Sequence, residues 1–391
     1  MISSTDVHAK FEELQTSLNW EILERYSEIH TSVIAILARK HHFQIGPPGT
    51  AKSLLVDRIS KRINGLDEDG YFRWLLTNYT TPEELYGGPD FQLLRDRGIY
   101  KRVTDRKLPK ARFVFLDEIF KGNSAVLNAN LTAMNERMFF NHDDDPKIPL
   151  ISLFAASNEL PHGDELWALW DRLHFRHQIS PVKETTSFVK LMSSPMEKEP
   201  EAILSLEDIE AAHKYVDAVT IGPDIIEAIK QLREDLKEEG VEPSERRWVE
   251  TLPIIKAEAW FNGRDEADVE DVRPLMHVLW PVLDQQKIVK RKVLELANPV
   301  DKEASEVYDR LCELTAEFKK NLASTDNPKD RARIAVEVFS KVKKADELIN
   351  KLKEEVEATG KKSEYLAGAE MKFKELGETL MKEGFNKSGK L

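Results

Sequence analysis

Hydrophobic positions along the chain follow more than one periodicity. From residue 1 to about residue 40, large apolar side chains recur four or seven residues apart, a spacing typical of amphipathic helices. From about 41 to 180, short runs that are apolar throughout, such as 113–116 and 150–156, alternate with helical stretches. Strands of this kind are buried on both faces, as in a parallel sheet covered by helices. The pattern therefore predicts an α/β core built on a parallel sheet.

The rest of the chain is predicted to be helical. Residues from about 200 to 290 show no convincing strand pattern, and after Val300 three segments keep the apolar spacing of helices. The breaks between these segments contain turn-forming residues and are short enough to bring successive helices back antiparallel. We therefore expect three domains: an α/β core with the N-terminal helices (1–190), an all-helical domain (191–295) and a three-helix bundle or helical arm (296–391).

Composition narrows the class of protein. The 391 residues are 41% hydrophobic and 32% charged, and no apolar run approaches the roughly 20 residues of a membrane-spanning helix. Residues 1–10 lack the basic-then-apolar layout of a signal peptide, so we expect a cytoplasmic protein without membrane insertion. The single Cys312 excludes an intramolecular disulfide and a cysteine-rich metal site. A formal net charge of -12 disfavours nucleic acid as the main partner.

The strongest local motif is a glycine-rich stretch between a predicted strand and a predicted helix. It matches the phosphate-binding pattern G-x-x-x-x-G-K-[ST], except that the second glycine is moved forward. Backbone N–H groups of such a loop and of the following helix face the phosphates, and the lysine reaches the terminal phosphates. The predicted nucleotide-binding residues are Gly46, Pro47, Pro48, Gly49, Thr50, Ala51, Lys52, Ser53 and, at the start of the helix, Leu54.

A magnesium–nucleotide site also needs acidic groups at the end of a neighbouring buried strand. The run 113–116 ends in Asp117 and Glu118. Ser53 and Asp117 are the predicted magnesium ligands, with Asp117 acting through water, and Glu118 is predicted to polarise the water that attacks the γ-phosphate. The expected ligands are therefore ATP and Mg²⁺.

Polar residues after the next apolar run complete the set of catalytic candidates. Asn158 follows the run 150–156 and would reach the same edge of the sheet, where an amide can orient the attacking water. Arg172 and Arg176 come next. A guanidinium that crosses a subunit boundary can stabilise the charge on the γ-phosphate in the transition state.

In their order along the chain, the loop, the acid pair, Asn158 and Asp171-Arg172 resemble the AAA+ ATPases. Longer segments resemble the MoxR group of that superfamily, especially its RavA-like branch; these are Thr80–Gly88, Phe115–Asn123, Leu131–Arg137 and Ala156–Pro161. The resemblance covers roughly residues 15 to 290. After that region, the sequence lacks the β-rich insertion by which the best-known RavA-like proteins bind a partner enzyme.

The resemblance implies a hexameric ring that hydrolyses ATP and remodels or matures another protein, with a von Willebrand factor A (vWA) domain protein as the expected partner. It implies that Asn158 is the first sensor, Arg172 the finger that reaches the neighbour's nucleotide, and Arg246 the second sensor, with Arg247 as the other possibility. It also places Glu24, Arg25 and Tyr26 beside the adenine. Segments 97–108 and 137–149 resemble the two hairpin insertions of this group.

A second hypothesis belongs to a different class of function. In it the chain is a nucleotide-controlled binding or scaffold module: ATP sets assembly, and the C-terminal helices recruit a partner. The amphipathic segments after Val300 motivate this alternative, and the complete set of hydrolytic residues favours the ATPase.

Overall fold

The computed structural model describes residues 3–66, 68–142, 144–161, 164–193, 200–325, 327–359 and 363–385. The chain divides into two compact units, Met1–Val289 and Lys290–Leu391.

The first unit contains a five-stranded parallel sheet. The strands, in chain order, are β1 (His42–Ile45), β2 (Ile63–Asn64), β3 (Tyr71–Leu75), β4 (Phe113–Asp117), β5 (Ser152–Ser157), β6 (Phe175–Gln178) and β7 (Leu204–Ser205). The large sheet has the order β3-β4-β5-β1-β6, and β2 pairs with β7 in a separate two-stranded sheet. Each neighbouring pair is parallel. All carboxyl ends in the large sheet therefore lie at one edge.

Helices account for most of the remaining structure. The α-helices before the second unit are α1 (Ser4–Glu21), α2 (Tyr26–Leu37), α3 (Lys52–Lys61), α4 (Pro82–Tyr86), α5 (Phe91–Arg97), α6 (Ser124–Glu136), α7 (Asp164–Trp170), α8 (Thr185–Ser193), α9 (Leu206–Ala218), α10 (Pro223–Glu238) and α11 (Glu245–Phe261). They are followed by α12 (Gln286–Ala297), α13 (Pro299–Ala323), α14 (Pro328–Thr359) and α15 (Glu364–Thr379), with a π-helical end at Leu380–Phe385. Short 3₁₀ helices are Leu108–Lys110, Ile119–Lys121, Val269–His277 and Leu283–Gln285.

The central strands are apolar because helices cover both faces of the sheet. All six residues of β5 are buried, as are the first four of β4 and all four of β1. Burial of both faces explains why these strands appear in the sequence as continuous apolar runs instead of alternating patterns. The predicted fold class, an α/β core followed by a helical lid and a helical C-terminal region, is confirmed.

The three C-terminal helices surround a core of their own. Leu311, Phe318, Val338 and Leu376 are among its buried residues. The apolar spacing of the three segments predicted buried positions, and all of them belong to this core or pack against it: Val307, Leu311, Leu314, Phe318, Leu322, Ile334, Val338, Val342, Ala345, Ile349, Leu352, Val356, Leu366, Ala369, Phe373, Leu376 and Leu380. The division of residues 1–295 at position 190 stays a prediction.

The two segments that resemble hairpin insertions are irregular in structure. Among the described residues, each contributes one isolated antiparallel bridge, between Pro89 and Arg102 and between Met138 and Lys147. The side-chain amide of Asn141 joins the segments, because it accepts a hydrogen bond from the Arg102 N–H at 2.7 Å and donates one to the Arg102 carbonyl at 3.0 Å.

Candidate functional site

The phosphate loop connects β1 to α3 at the carboxyl edge of the sheet. A Cβ atom at Gly46 would lie 2.4 Å from the carbonyl oxygen of Ile179, so only glycine fits between β1 and β6 at this point. Gly49 and Ala51 have positive φ angles of +78° and +66°. Left-handed backbone at these two positions curls the loop ahead of α3, and loops of this kind can turn their N–H groups toward an anion.

The N-terminus of α3 is available to an anion. Within the described residues, no side chain caps its first turn. The uncapped N–H groups and the positive end of the helix dipole favour a bound phosphate. Because α3 begins at Lys52, the lysine side chain extends from the same helix terminus that would bind the phosphate.

The Lys52 ammonium group is held by three oxygen atoms. It donates hydrogen bonds to the carbonyls of Gly46 at 2.5 Å and Pro47 at 2.9 Å and to the Asn158 side chain at 2.8 Å. Burial lowers the pKa of Lys52, and the nearby charges of Asp117 and Glu118 act in the opposite direction. The ammonium group is thus placed between the loop and the acid pair.

The acid pair lies at the carboxyl end of β4. Glu118 has a positive φ of 53°, and its backbone N–H donates to the Asp117 carboxylate at 3.0 Å. The Glu118 side chain is buried and lies 3.3 Å from the Lys121 ammonium. Left-handed backbone is strained in a residue other than glycine, and such strain is often found at functional sites.

Asn158 connects the lysine to the glutamate. It directly follows β5, the strand between β1 and β4. Its amide nitrogen donates a short hydrogen bond to Glu118 Oε1, while its amide oxygen accepts the bond from Lys52. Three residues that are far apart in the sequence thus form one hydrogen-bonded chain, Lys52–Asn158–Glu118. The Asn158 amide presents its oxygen to the ammonium group and its nitrogen to the carboxylate.

The residues predicted to hold magnesium fit that ion chemically. Ser53 follows Lys52 in the first turn of α3, and Asp117 ends β4; both side chains are partly exposed. Among the described residues, no group of three or more His, Cys, Asp or Glu could hold a metal by itself. Mg²⁺ is commonly bound by one or two protein oxygen ligands together with substrate phosphates and water. A hydroxyl and a carboxylate beside a phosphate loop match that requirement.

Of the N-terminal candidates, Arg25 contacts the phosphate loop. The Arg25 guanidinium donates to the Thr50 carbonyl at 3.4 Å and to the Ser180 carbonyl at 2.6 Å. The Glu24 carboxylate accepts from the backbone N–H groups of Lys183 at 2.8 Å and Glu184 at 3.0 Å. Tyr26 is exposed. Arg25 therefore joins the loop to the segment after β6, a role that the sequence did not indicate.

Arg172 lies at the other edge of the sheet. It precedes β6 by three residues, and His42 at the start of β1 pairs in register with Phe175 at the start of β6. The phosphate loop follows the opposite end of β1, and four residues of strand span about 13 Å. One copy therefore holds Arg172 and Lys52 on opposite edges of the same sheet.

Arg246 lies beside Arg172 and shares its acidic neighbour. Arg246 is 3.5 Å from the Asp171 carboxylate, and the Ser244 hydroxyl, which caps α11, donates to the same carboxylate at 2.8 Å. Burial and the nearby Arg246 charge both lower the pKa of Arg172. The Nε of Arg172 is buried and has no hydrogen-bond partner among the described residues.

Two other arginines considered from the sequence are structural. Arg247 is buried, and its guanidinium donates to carbonyls of Leu173 at 2.7 Å and Val278 at 2.5 Å. Arg176 is fully buried, lies over the ring of Trp170 at 4.1 Å, and donates to the Trp280 carbonyl at 2.5 Å. Backbone carbonyls, and for Arg247 also the Asp171 carboxylate, occupy both guanidinium groups, so a structural role accounts for each. The choice between Arg246 and Arg247 as second sensor stays a prediction.

Comparison with protein families identifies the chain. Residues 9–214 match the family model described as the MoxR domain in MoxR–vWA–β-propeller ternary systems, and residues 224–293 match an AAA lid domain.

The chain belongs to the MoxR family of AAA+ ATPases.

Relatives of this MoxR protein include two uncharacterized proteins of Methanocaldococcus jannaschii. One is 36% identical over 318 residues, which are 81% of this chain and 80% of the relative. The other is 36% identical over 312 residues, 79% of this chain and 82% of the relative. A structural protein of Acidianus two-tailed virus is 28% identical over 219 residues, 54% of this chain and 35% of that protein.

A solved structure supports the fold. The crystal structure of a proposed ATPase from Cytophaga hutchinsonii superposes with a TM-score of 0.61 at 18% identity, covering 75% of this chain and 96% of that one. ATPase activity is a general property of the AAA+ family. In the described part of the chain, no helix combines the length and the apolar character needed to cross a membrane.

Proposed function

We propose that this MoxR protein hydrolyses ATP at a site that a neighbouring copy completes, and that it uses the hydrolysis to remodel or mature a partner protein. One observation carries the proposal. The Lys52–Asn158–Glu118 chain lies at the carboxyl edge of the sheet, whereas Arg172 and Arg246 lie with Asp171 at the amino edge. This separation supports a site whose arginine is supplied by a second copy.

Each residue has a distinct role in the proposed reaction. The loop N–H groups and Lys52 bind the phosphates, and Glu118 accepts a proton from the attacking water. Asn158 holds Glu118 in place and orients that water. When bound to Ser53 and Asp117, the magnesium ion would neutralise negative charge on the phosphates.

The arginines would act on the nucleotide of the adjacent copy. Arg172 is the proposed finger, and the shared Asp171 supports the proposal that Arg246 enters the same neighbouring site. Glu24, Arg25 and Tyr26 are proposed to contact the adenine, because Arg25 already bonds the loop at Thr50. Arrangement of successive copies head to tail closes a ring, for which six subunits is the proposed number.

The proposed partner is a vWA-domain protein. Support comes from the matched family model, which is described from MoxR–vWA–β-propeller ternary systems. The sequence motifs further suggest the RavA-like branch, and we propose cytoplasmic, chaperone-like action on a protein substrate.

One specific observation favours the binding-module hypothesis. The second compact unit has its own core and carries the exposed apolar residues Val336 and Leu348 on α14. In this second candidate function, that unit recruits the partner and nucleotide turnover is incidental.

Steady-state ATPase assays test the proposed activity. Lys52→Ala and Glu118→Gln should abolish turnover, and Arg172→Ala should lower it by roughly a thousandfold or more while ATP binding persists. A suitable control is Arg233→Ala, since Arg233 forms an exposed ion pair with Glu245. Specific activity should fall on dilution as the assembly dissociates.

Mixing two inactive variants tests whether the site is shared. Glu118→Gln retains Arg172, and Arg172→Ala retains Glu118, so a mixture should recover activity at the junctions that contain both residues. Turnover that survives Lys52→Ala, or full activity of a strictly monomeric chain, would contradict the proposal.

A further inference from the structure

The helix α8 (Thr185–Ser193) exposes apolar side chains that soluble surfaces normally bury. None of its nine residues is buried. Phe188, Leu191 and Met192 are all exposed, and their i, i+3, i+4 spacing places them on one face of the helix. A helix of this length is only marginally stable unless an apolar face packs against something, and a contiguous exposed apolar face marks an interaction surface.

Contacts at its N-terminal end fix α8 beside the nucleotide site. Lys183 and Glu184, which directly precede the helix, donate their backbone N–H groups to the Glu24 carboxylate. The next residue, Arg25, bonds both Ser180 and Thr50 of the phosphate loop. The apolar face is therefore attached to the same edge of the sheet as the site that lacks its arginine.

The opposite edge carries matching apolar side chains next to the arginines. Val249 lies three residues after Arg246 on α11 and is 69% exposed. Trp167 on α7 is 41% exposed, and its carbonyl accepts the backbone N–H of Asp171 at 2.9 Å. Any copy that brings its arginines to a neighbour's nucleotide also brings these two side chains to that neighbour's carboxyl edge.

We propose that the α8 face, formed by Phe188, Leu191 and Met192, docks on Trp167 and Val249 of the adjacent copy and so holds that copy's arginines over the nucleotide. The inference rests on the proposed function, because it takes the shared site as the reason for the approach of a second copy. The contact is heterologous, since different surfaces of the two copies meet, and it propagates from one copy to the next.

A pair of matched double variants tests the docking surface. Phe188→Gln/Met192→Gln removes the apolar face, and Phe339→Gln/Met371→Gln in the second unit is the control. Phe188 and Phe339 are 53% and 55% exposed, and Met192 and Met371 are 73% and 71% exposed. Equal exposure predicts equally small effects on folding, which circular dichroism melting checks.

Assembly is measured by sedimentation velocity in the Glu118→Gln background with ATP and magnesium. We expect the α8 variant to associate roughly a hundredfold more weakly than the control, since two apolar side chains leave the interface. ATP affinity of the monomer, measured by calorimetry, should not change. Association equal to that of the control would overturn the inference.

The opposite surface gives an independent test. Val249→Glu should impair assembly as the α8 variant does. An equimolar mixture of the two variants retains one native junction, between the α8 of the Val249→Glu chain and the arginine edge of the α8 variant. The mixture should therefore form dimers that do not grow further. Monomers alone in the mixture would overturn the head-to-tail contact.

The outcomes separate this inference from the proposed function. A wild-type chain that assembles through α8 but does not hydrolyse ATP would refute the ATPase and leave the docking surface intact. A chain that hydrolyses ATP while the α8 variant assembles normally would refute the docking surface alone. Normal assembly of the α8 variant with loss of binding to a vWA-domain protein would also refute it, because a different partner would then cover α8.

Discussion

Arg246 and Arg247 are adjacent in the sequence but have different environments. Both contact Asp171, at 3.5 Å and 3.2 Å. Arg246 remains about half exposed at its side chain, whereas Arg247 is buried and bonded to backbone carbonyls of the core and the lid. Burial also lowers the pKa of Arg247 to about 10. The exposed arginine is free to serve a second copy, and the buried one is not.

Alanine substitutions should separate these two roles. Arg247→Ala leaves several buried carbonyls and part of Asp171 without a donor, so we expect a loss of about 3–5 kcal/mol in stability. Arg246→Ala should change stability by less than about 0.5 kcal/mol, because exposed ion pairs contribute little. Urea unfolding measures both stability changes, and ATP turnover tests the proposed role of Arg246. Equal stability losses for the two variants would contradict this division.

At the scale of elements, the neighbouring strands β1 and β6 carry two buried histidines, His42 and His177, next to the partly buried His277. The Thr31 hydroxyl of α2 contacts Nε2 of His42 at 3.1 Å and of His177 at 2.7 Å. The ring centroid of His177 lies 5.0 Å from that of His42 and 4.2 Å from that of His277. Burial, followed by the charge of His277, lowers the pKa of His42 to about 3 and that of His177 well below its usual range. Burial therefore favours the neutral form of both rings in the folded protein.

The two buried histidines predict loss of stability in mild acid. Below about pH 6.5 histidines of the unfolded chain gain protons while His42 and His177 do not, so stability present above that pH is lost as pH falls toward the folded-state pKa. Each histidine should contribute a slope of about 1.4 kcal/mol per pH unit. Denaturant unfolding between pH 6.5 and 5 should show a smaller slope for His42→Gln. A slope for His42→Gln identical to that of the unsubstituted protein would refute the prediction.

The chain as a whole combines an AAA+ unit with a helical unit that has a separate core. Residues 298–391 contain the N-cap Asn298 of α13 and every member of the C-terminal core. Because a domain with its own core can fold alone, we expect this fragment to be helical and to melt cooperatively. Circular dichroism of the purified fragment measures this, with Leu311→Ala, a fully buried position, as the destabilised control.

Deletion of the same residues distinguishes the two candidate functions. A chain of residues 1–297 should bind and hydrolyse ATP normally if the site lies wholly in the first unit and its copies. Loss of partner binding alone in this variant would favour the recruiting role of the helical unit. Loss of ATP binding would contradict the assignment of the site to residues 24–246.

Much of the fold and part of the site could be predicted from sequence because the relevant signals are local. Uninterrupted apolar runs indicated β4 and β5, and the spacing of Leu311, Leu314 and Phe318 indicated a buried helix face. The proximity of Lys52, Glu118 and Asn158 was also predictable, because carboxyl ends of neighbouring parallel strands share one edge. Their catalytic roles stay a prediction.

Only the tertiary structure decided which polar groups are free. Nothing in the local sequence separates Arg246 from Arg247, or Arg172 from Arg176; carbonyls contributed by distant segments, such as those of Val278 and Trp280, saturate the structural arginine of each pair. The sequence by itself determined the strands, the phosphate loop and the helical periodicity, since these depend on residues close together in the chain. Burial and the edge of the sheet that a residue occupies depend on contacts between segments far apart, which local patterns do not specify.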